Sequence, residues 1–175
     1  MNFLSLYKRK LLYFLKKKVN IDLDDLKKVN TLDEIFLYYG TDKSSKGHGY
    51  TKFYEKHLNN FINKPINILE IGSYSGASAA SFVKYFKKSN LYCLDINISN
   101  FKYSSKNIIV YGLDISNKKM IRKFLKKNNI GPDQTFFDII IDDGSHKLSD
   151  MLKCLNTFFK FIKTNGYYII EDYKF

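Results

Sequence analysis

The stretch Ile66-Asn67-Ile68-Leu69-Glu70-Ile71-Gly72-Ser73-Tyr74-Ser75-Gly76 is a short apolar run that stops at a glycine and passes into a turn. The glycines permit a tight turn and close approach of a ligand to the backbone. A helix is predicted from near Gly76 through Phe82, Val83 and Phe86. Similar units follow downstream. Leu91 to Leu94 ends in Asp95, and Asn107 to Tyr111 ends in Gly112-Leu113-Asp114. Ser116 is then expected to cap a helix carrying Met120, Ile121, Phe124 and Leu125. After the break at Gly131-Pro132, Phe136 to Ile141 leads into Asp142-Asp143. Met151, Leu152, Leu155, Phe158, Phe159 and Ile162 recur at helical spacing, and Gly166 starts the run Tyr167 to Ile170. Five continuous apolar runs separated by helical patterns predict an α/β fold with a parallel sheet covered on both faces.

The 175 residues suffice for one domain with a substantial core, and 45% hydrophobic residues with 17% aromatics argue against disorder. The formal net charge of +12 comes from lysines scattered along the chain without an arginine cluster. That pattern reads as a solvated surface rather than a nucleic-acid site, and no nucleic-acid partner is expected. Cys93 and Cys154 each sit in an apolar segment, as reduced core thiols would, which suggests a cytoplasmic location. Met1 to Val19 reads as a basic amphipathic helix too interrupted by charge to span a bilayer. Packing on the domain or on another subunit is the favoured role for it, with docking on a membrane surface as the alternative. Leu32 to Asn60 reads as helix, polar loop and helix, with Gly40 to Tyr50 as the loop.

Ligands of open α/β sheets bind outside the carboxyl ends of the strands, where the strand order reverses. The polar residues of this chain gather at those ends. Gly72 and Gly76 have the spacing G-x-x-x-G rather than G-x-G-x-x-G, so the glycine that makes room for a pyrophosphate is missing. A nucleoside without phosphates fits better, and S-adenosylmethionine is the commonest one. Asp95, 19 residues beyond Gly76, stands where an acidic side chain can accept from both ribose hydroxyls. Asp114 could bond the adenine amino group. Asp142-Asp143-Gly144-Ser145-His146 and Glu171-Asp172 close two neighbouring apolar runs, and carboxylates with an imidazole can hold a hard divalent cation beside a general base. Taken singly, the first of these is also a good turn and helix cap, and the second an ordinary polar strand end. His57 falls in a predicted helix and is read as having no chemical role.

Together these residues resemble the class I S-adenosylmethionine-dependent methyltransferases. More narrowly, they resemble the metal-dependent O-methyltransferases of rhamnosyl and macrolide sugars, to which the cephalosporin-hydroxylase-like methyltransferases look related. The resemblance runs from about Thr31 to Asp172 and rests on Gly40-Thr41-Asp42-Lys43 with His48 and Tyr50, on Glu70 to Gly76, on Asp142 to His146 and on Glu171-Asp172. It implies a Rossmann-like sheet of order 3-2-1-4-5, magnesium held by Asp143, Glu171 and Asp172, and His146 as general base. Thr41, Lys43, His48, Glu70, Gly72, Ser73, Tyr74, Gly76, Asp95, Asp114 and Asp142 are the cofactor-binding residues by the same match, with Tyr74 packing on the cofactor. A small-molecule or glycan acceptor is implied, and a homo-oligomer is compatible with it. Residues 1–62 would form the N-terminal helices and the Thr-Asp-Lys loop, and 63–175 the cofactor-binding domain. The family fold continues with a helix and two strands that a chain ending at Phe175 is expected to lack. A non-catalytic cofactor-binding fragment or interaction module is therefore the competing expectation. A nicotinamide-dependent oxidoreductase is disfavoured by the glycine spacing.

Overall fold

The computed structural model describes residues 17–26 and 31–173. The amphipathic helix expected over residues 1–19 lies outside them except at its end, where Val19 already belongs to a short strand, β1 (Val19–Asn20). Two helices follow, α1 (Leu32–Tyr39) and α2 (Thr51–Leu58). The alternating part comprises β2 (Ile66–Ile71), α3 (Ala77–Tyr85), β3 (Ser89–Asp95), β4 (Tyr103–Ser104), β5 (Ile108–Gly112), α4 (Lys118–Lys127), β6 (Phe137–Asp142), α5 (Leu148–Phe158) and β7 (Ile162–Ile170). The main sheet has the order β5-β3-β2-β6-β7 with every pair parallel, which is the expected 3-2-1-4-5 arrangement. β1 and β4 form a separate parallel pair.

Alternation along the strands divides the core in two. Ile68, Leu91, Cys93, Ile139 and Ile141 face α1, α2 and α3. Leu69, Tyr92, Leu94 and Ile140 face α4 and α5, whose Ile121, Phe124, Cys154 and Phe158 close over them. Both cysteines are buried and unpaired. Phe36 of α1 and Tyr54 of α2 meet Phe82 of α3 edge-on, at ring-centroid distances of 5.5 and 5.2 Å. That aromatic cluster ties the first two helices to the sheet and so sets where the loop between them ends up.

Two expectations are corrected. Asn117, not Ser116, caps α4, because its side chain accepts the backbone N–H groups of Lys119 and Met120. Ser116 instead donates its own N–H to Asp114 at 2.8 Å. The last strand begins at Ile162 rather than beyond Gly166, and α5 stops at Phe158. The apolar spacing carries Ile162 into the helical pattern. In the fold, a turn at Phe159–Phe161 ends the helix, and Ile162 pairs with Phe137 before the register shifts at Ile139.

Candidate active site

β2 lies at the centre, with β3 on one side and β6 on the other, so the strand order reverses around its carboxyl end. A cavity of about 920 Å³ opens there. Its wall includes Gly72, Ser73 and Tyr74 after β2, Asp95 at the end of β3 and Asp114 after β5. Asp142 ends β6, Asp143 and His146 follow it, Asp172 follows β7, and Thr41, Lys43 and His48 come from the loop between α1 and α2. Most of the sequence-predicted site residues therefore share one cavity. Glu70, Gly76 and Glu171 are not on its wall.

Glu70 is fully buried and accepts a hydrogen bond from Ser78 Oγ, while its Oε2 has no hydrogen-bond partner among the described residues. Burial pushes its pKa up. Gly76 starts α3 with φ +78°, where a Cβ would lie 2.5 Å from the Phe101 ring. Asp95 organises the turn after β2, accepting from Tyr74 N–H at 2.7 Å and Asn97 N–H at 2.8 Å. Tyr74, His146 and Asp172 are three of the five non-glycine residues with positive φ among the described residues. Strained backbone thus concentrates where the cavity meets the strand ends.

The acidic strand ends meet because β6 and β7 pair through Asp142 and Ile170, after which Glu171 N–H bonds to Asp142 O at 2.9 Å. Asp143, His146 and Asp172 each present one ligand atom, all within 4.8 Å of one another. His146 Nε2 is 3.8 Å from Asp143 Oδ1 and 4.0 Å from Asp172 Oδ2.

Glu171 is turned elsewhere. Its two oxygens accept from Lys43 Nζ and Tyr54 Oη, and burial, partly offset by the Lys43 charge, pushes its pKa up to about 7. Lys43 is only 1% exposed and also reaches Asp143 Oδ2 at 2.6 Å. Burial opposes its charge, but Glu171 and Asp143 outweigh that and its pKa is raised. Tyr50 Oη donates to Asp172 Oδ1, His48 Nδ1 lies 3.2 Å from the same oxygen, and the two rings stack. The segment from Lys43 to Tyr54 thus supplies a donor to each of the three carboxylates.

Sequence reading did not find Tyr54, which falls in the second helix predicted within Leu32 to Asn60. Nor did it find Asp33, which holds the loop in place. The Asp33 carboxylate accepts from Ser45 N–H at 2.7 Å, Ser45 Oγ at 2.6 Å and Thr51 Oγ at 2.6 Å. Burial would raise its pKa, but these hydrogen bonds prevail and lower it. A carboxyl whose pKa is lowered on folding adds stability above its unfolded pKa and loses it as the pH falls through the folded one. Asp33→Ala is therefore expected to cost about 1–2 kcal/mol at neutral pH. Denaturant titrations should find that gap closing below about pH 4, and a gap that persists unchanged at pH 3 would exclude the ionic contribution.

Comparison with known proteins identifies the family and the fold. The model of a family described as a methyltransferase domain matches residues 69–173. L-olivosyl-oleandolide 3-O-methyltransferase of Streptomyces antibioticus is 31% identical over 148 residues, covering 81% of this chain and 36% of that protein. The 8-demethyl-8-alpha-L-rhamnosyl tetracenomycin-C 2'-O-methyltransferase of Streptomyces olivaceus is 28% identical, over 85% of this chain and 39% of its own length. Among solved structures, the mycinamycin-pathway methyltransferase MycE, in complex with Mg and SAH, superposes with a TM-score of 0.71 at 27% identity. That match covers 83% of this chain and 40% of MycE. The chain thus spans well under half the length of these relatives. With the family model matched over most of the chain and the strand order and strand-end cavity in agreement, the chain belongs to the class I S-adenosylmethionine-dependent methyltransferases.

Proposed function

We propose that this protein binds S-adenosylmethionine in the strand-end cavity and transfers its methyl group to a hydroxyl of a sugar or glycoside, assisted by a divalent cation. The observation that carries the reading is the convergence of Asp143, His146 and Asp172 on the cavity wall that also holds Gly72, Asp95 and Asp114. The cavity volume suits a nucleoside-sized ligand. Asp95 and Asp114 are acceptors for ribose hydroxyls and an adenine amino group, and Gly72 lets the backbone come close to the ligand. Asp143 and Asp172 are hard oxygen donors of the kind magnesium takes, so the residues fit the ion. When bound, the ion lowers the pKa of an acceptor hydroxyl and orients it.

The rest of the chemistry is carried by the chain. An acceptor hydroxyl seated between Asp143 and Asp172 is within reach of His146 Nε2, which takes its proton as the oxygen attacks the methyl carbon. Lys43, Tyr50 and Tyr54 hold the carboxylates in position, and the loop that carries Lys43 and His48 lines the cavity. The names of the relatives, which are O-methyltransferases of olivosyl and rhamnosyl compounds, favour a deoxysugar acceptor. The test is transfer of labelled methyl from S-adenosylmethionine to a panel of deoxysugar glycosides, with and without magnesium. Magnesium-dependent labelling of a sugar hydroxyl is expected. Binding of S-adenosylhomocysteine without transfer to any acceptor would favour the reading as a non-catalytic cofactor-binding module.

A further inference from the structure

Lys43 is an ammonium enclosed by the protein, at 1% exposure, in direct contact with the carboxylates of Asp143 and Glu171. A cation in that position is costly to bury unless carboxylates are held against it. It is delivered by a loop whose shape is set elsewhere. Asp33 accepts from Ser45 and Thr51, and Thr51 Oγ and Tyr50 N–H both bond to Lys43 O, the latter at 3.0 Å. The ammonium is therefore a permanent part of the site.

Its effect on the site is a matter of charge. With Glu171 ionised against the Lys43 ammonium, Asp143, Glu171 and Asp172 carry three formal negative charges, and the ammonium leaves two, which one divalent ion neutralises. Tyr54 and Tyr50 donate to Glu171 and Asp172 without adding charge. We propose that Lys43 is the built-in counter-ion that sets the charge of this acidic centre and so tunes it to a divalent rather than a trivalent cation. The inference rests on the metal reading above. It makes Lys43 a positioning residue, acting on the ion through Asp143 and Glu171.

The test compares the full-length protein with K43M and K43R for binding of Mn²⁺, by its electron spin resonance, and of Tb³⁺, by sensitised luminescence. The chain has 14 tyrosines and no tryptophan, and Tyr50 and Tyr54 bond to the carboxylates themselves, so tyrosine excitation reports Tb³⁺ at the site. In K43M the ratio of the two affinities is expected to move by about tenfold or more toward Tb³⁺, because each ion then meets one more uncompensated negative charge. In K43R, which keeps the charge, the ratio should stay close to that of the unaltered protein. K43M is also expected to unfold at a lower temperature without ions and to be stabilised more by Tb³⁺ than by Mn²⁺.

An unchanged ratio in folded K43M would overturn the inference. So would a K43M protein that stays unfolded in both ions, since Lys43 would then serve the fold alone. Failure of the unaltered protein to bind Mn²⁺ would overturn the metal reading itself and this inference with it.

Discussion

Replacing His146 by asparagine is expected to slow methyl transfer by about 10²- to 10⁴-fold, the usual contribution of a positioned general base. Asparagine is the informative substitute because His146 has φ +56°, a left-handed conformation that asparagine tolerates better than most residues. A loss of activity then reports the missing imidazole rather than a distorted turn. The affinity for S-adenosylhomocysteine, measured calorimetrically, should change little, since Asp95, Asp114 and the Gly72 turn lie on other strand ends. The competing base is His48, whose Nδ1 is 3.2 Å from Asp172 Oδ1 and whose ring stacks on Tyr50. His48→Gln serves as the matched control. If it removed the activity and His146→Asn did not, the two imidazoles would exchange roles in the mechanism.

The second large effect is expected at Gly72, from packing rather than from chemistry. A Cβ there would lie 2.1 Å from the carbonyl oxygen of Asp143, and the residue has φ +86°. Neither obstacle yields cheaply, because the clashing atom is backbone and the conformation is strained for any L side chain. Asp143 is tied to the same place by its N–H, which bonds to Ile71 O at 2.9 Å, and Gly72 N–H is tied to Leu94 O at 2.8 Å. Gly72→Ala must therefore push the ends of β2 and β6 apart. The expected cost is about 2–4 kcal/mol, a fall in melting temperature on the order of 5–15 °C. Because the displaced backbone carries Asp143, Mn²⁺ affinity should fall with it. Gly112→Ala is the control, since the nearest atom to a Cβ there is Ile98 Cδ1 at 3.7 Å and φ is not in the left-handed range. Equal melting temperatures for the two variants would contradict the close approach.

Much of this architecture was legible in the chain. Runs such as Ile66 to Ile71 and Phe136 to Ile141 are mostly apolar without strict alternation, which is what a strand buried on both faces requires, and they stop at Gly72 and Asp142. Those stops lie at the carboxyl ends, so the same residues that bounded the strands also marked the cavity. Where apolar spacing has two readings, it misled. Ile162 suits a helix continuing from Phe158 as well as a strand, and only pairing with Phe137 decides between them. Asn117 and Ser116 are both good capping residues, and the choice depends on which backbone N–H groups the chain presents.

The kind of fold, the order of chemical groups along it and the gathering of Gly72, Asp95, Asp114, Asp143, His146 and Asp172 at strand ends are all written in the chain. These follow from local rules of burial and turn formation that neighbouring residues carry. The partners of the acidic residues, in contrast, are set by packing in three dimensions. Lys43 reaches Glu171 across 128 positions of sequence, and Tyr54 reaches it across 117. Such contacts depend on how α1 and α2 dock through Phe36, Tyr54 and Phe82, which no spacing in the chain encodes. In consequence, Asp143 and Asp172 face the cavity with His146, whereas Glu171, a member of the same predicted trio, is engaged by an ammonium and a phenol of the protein itself.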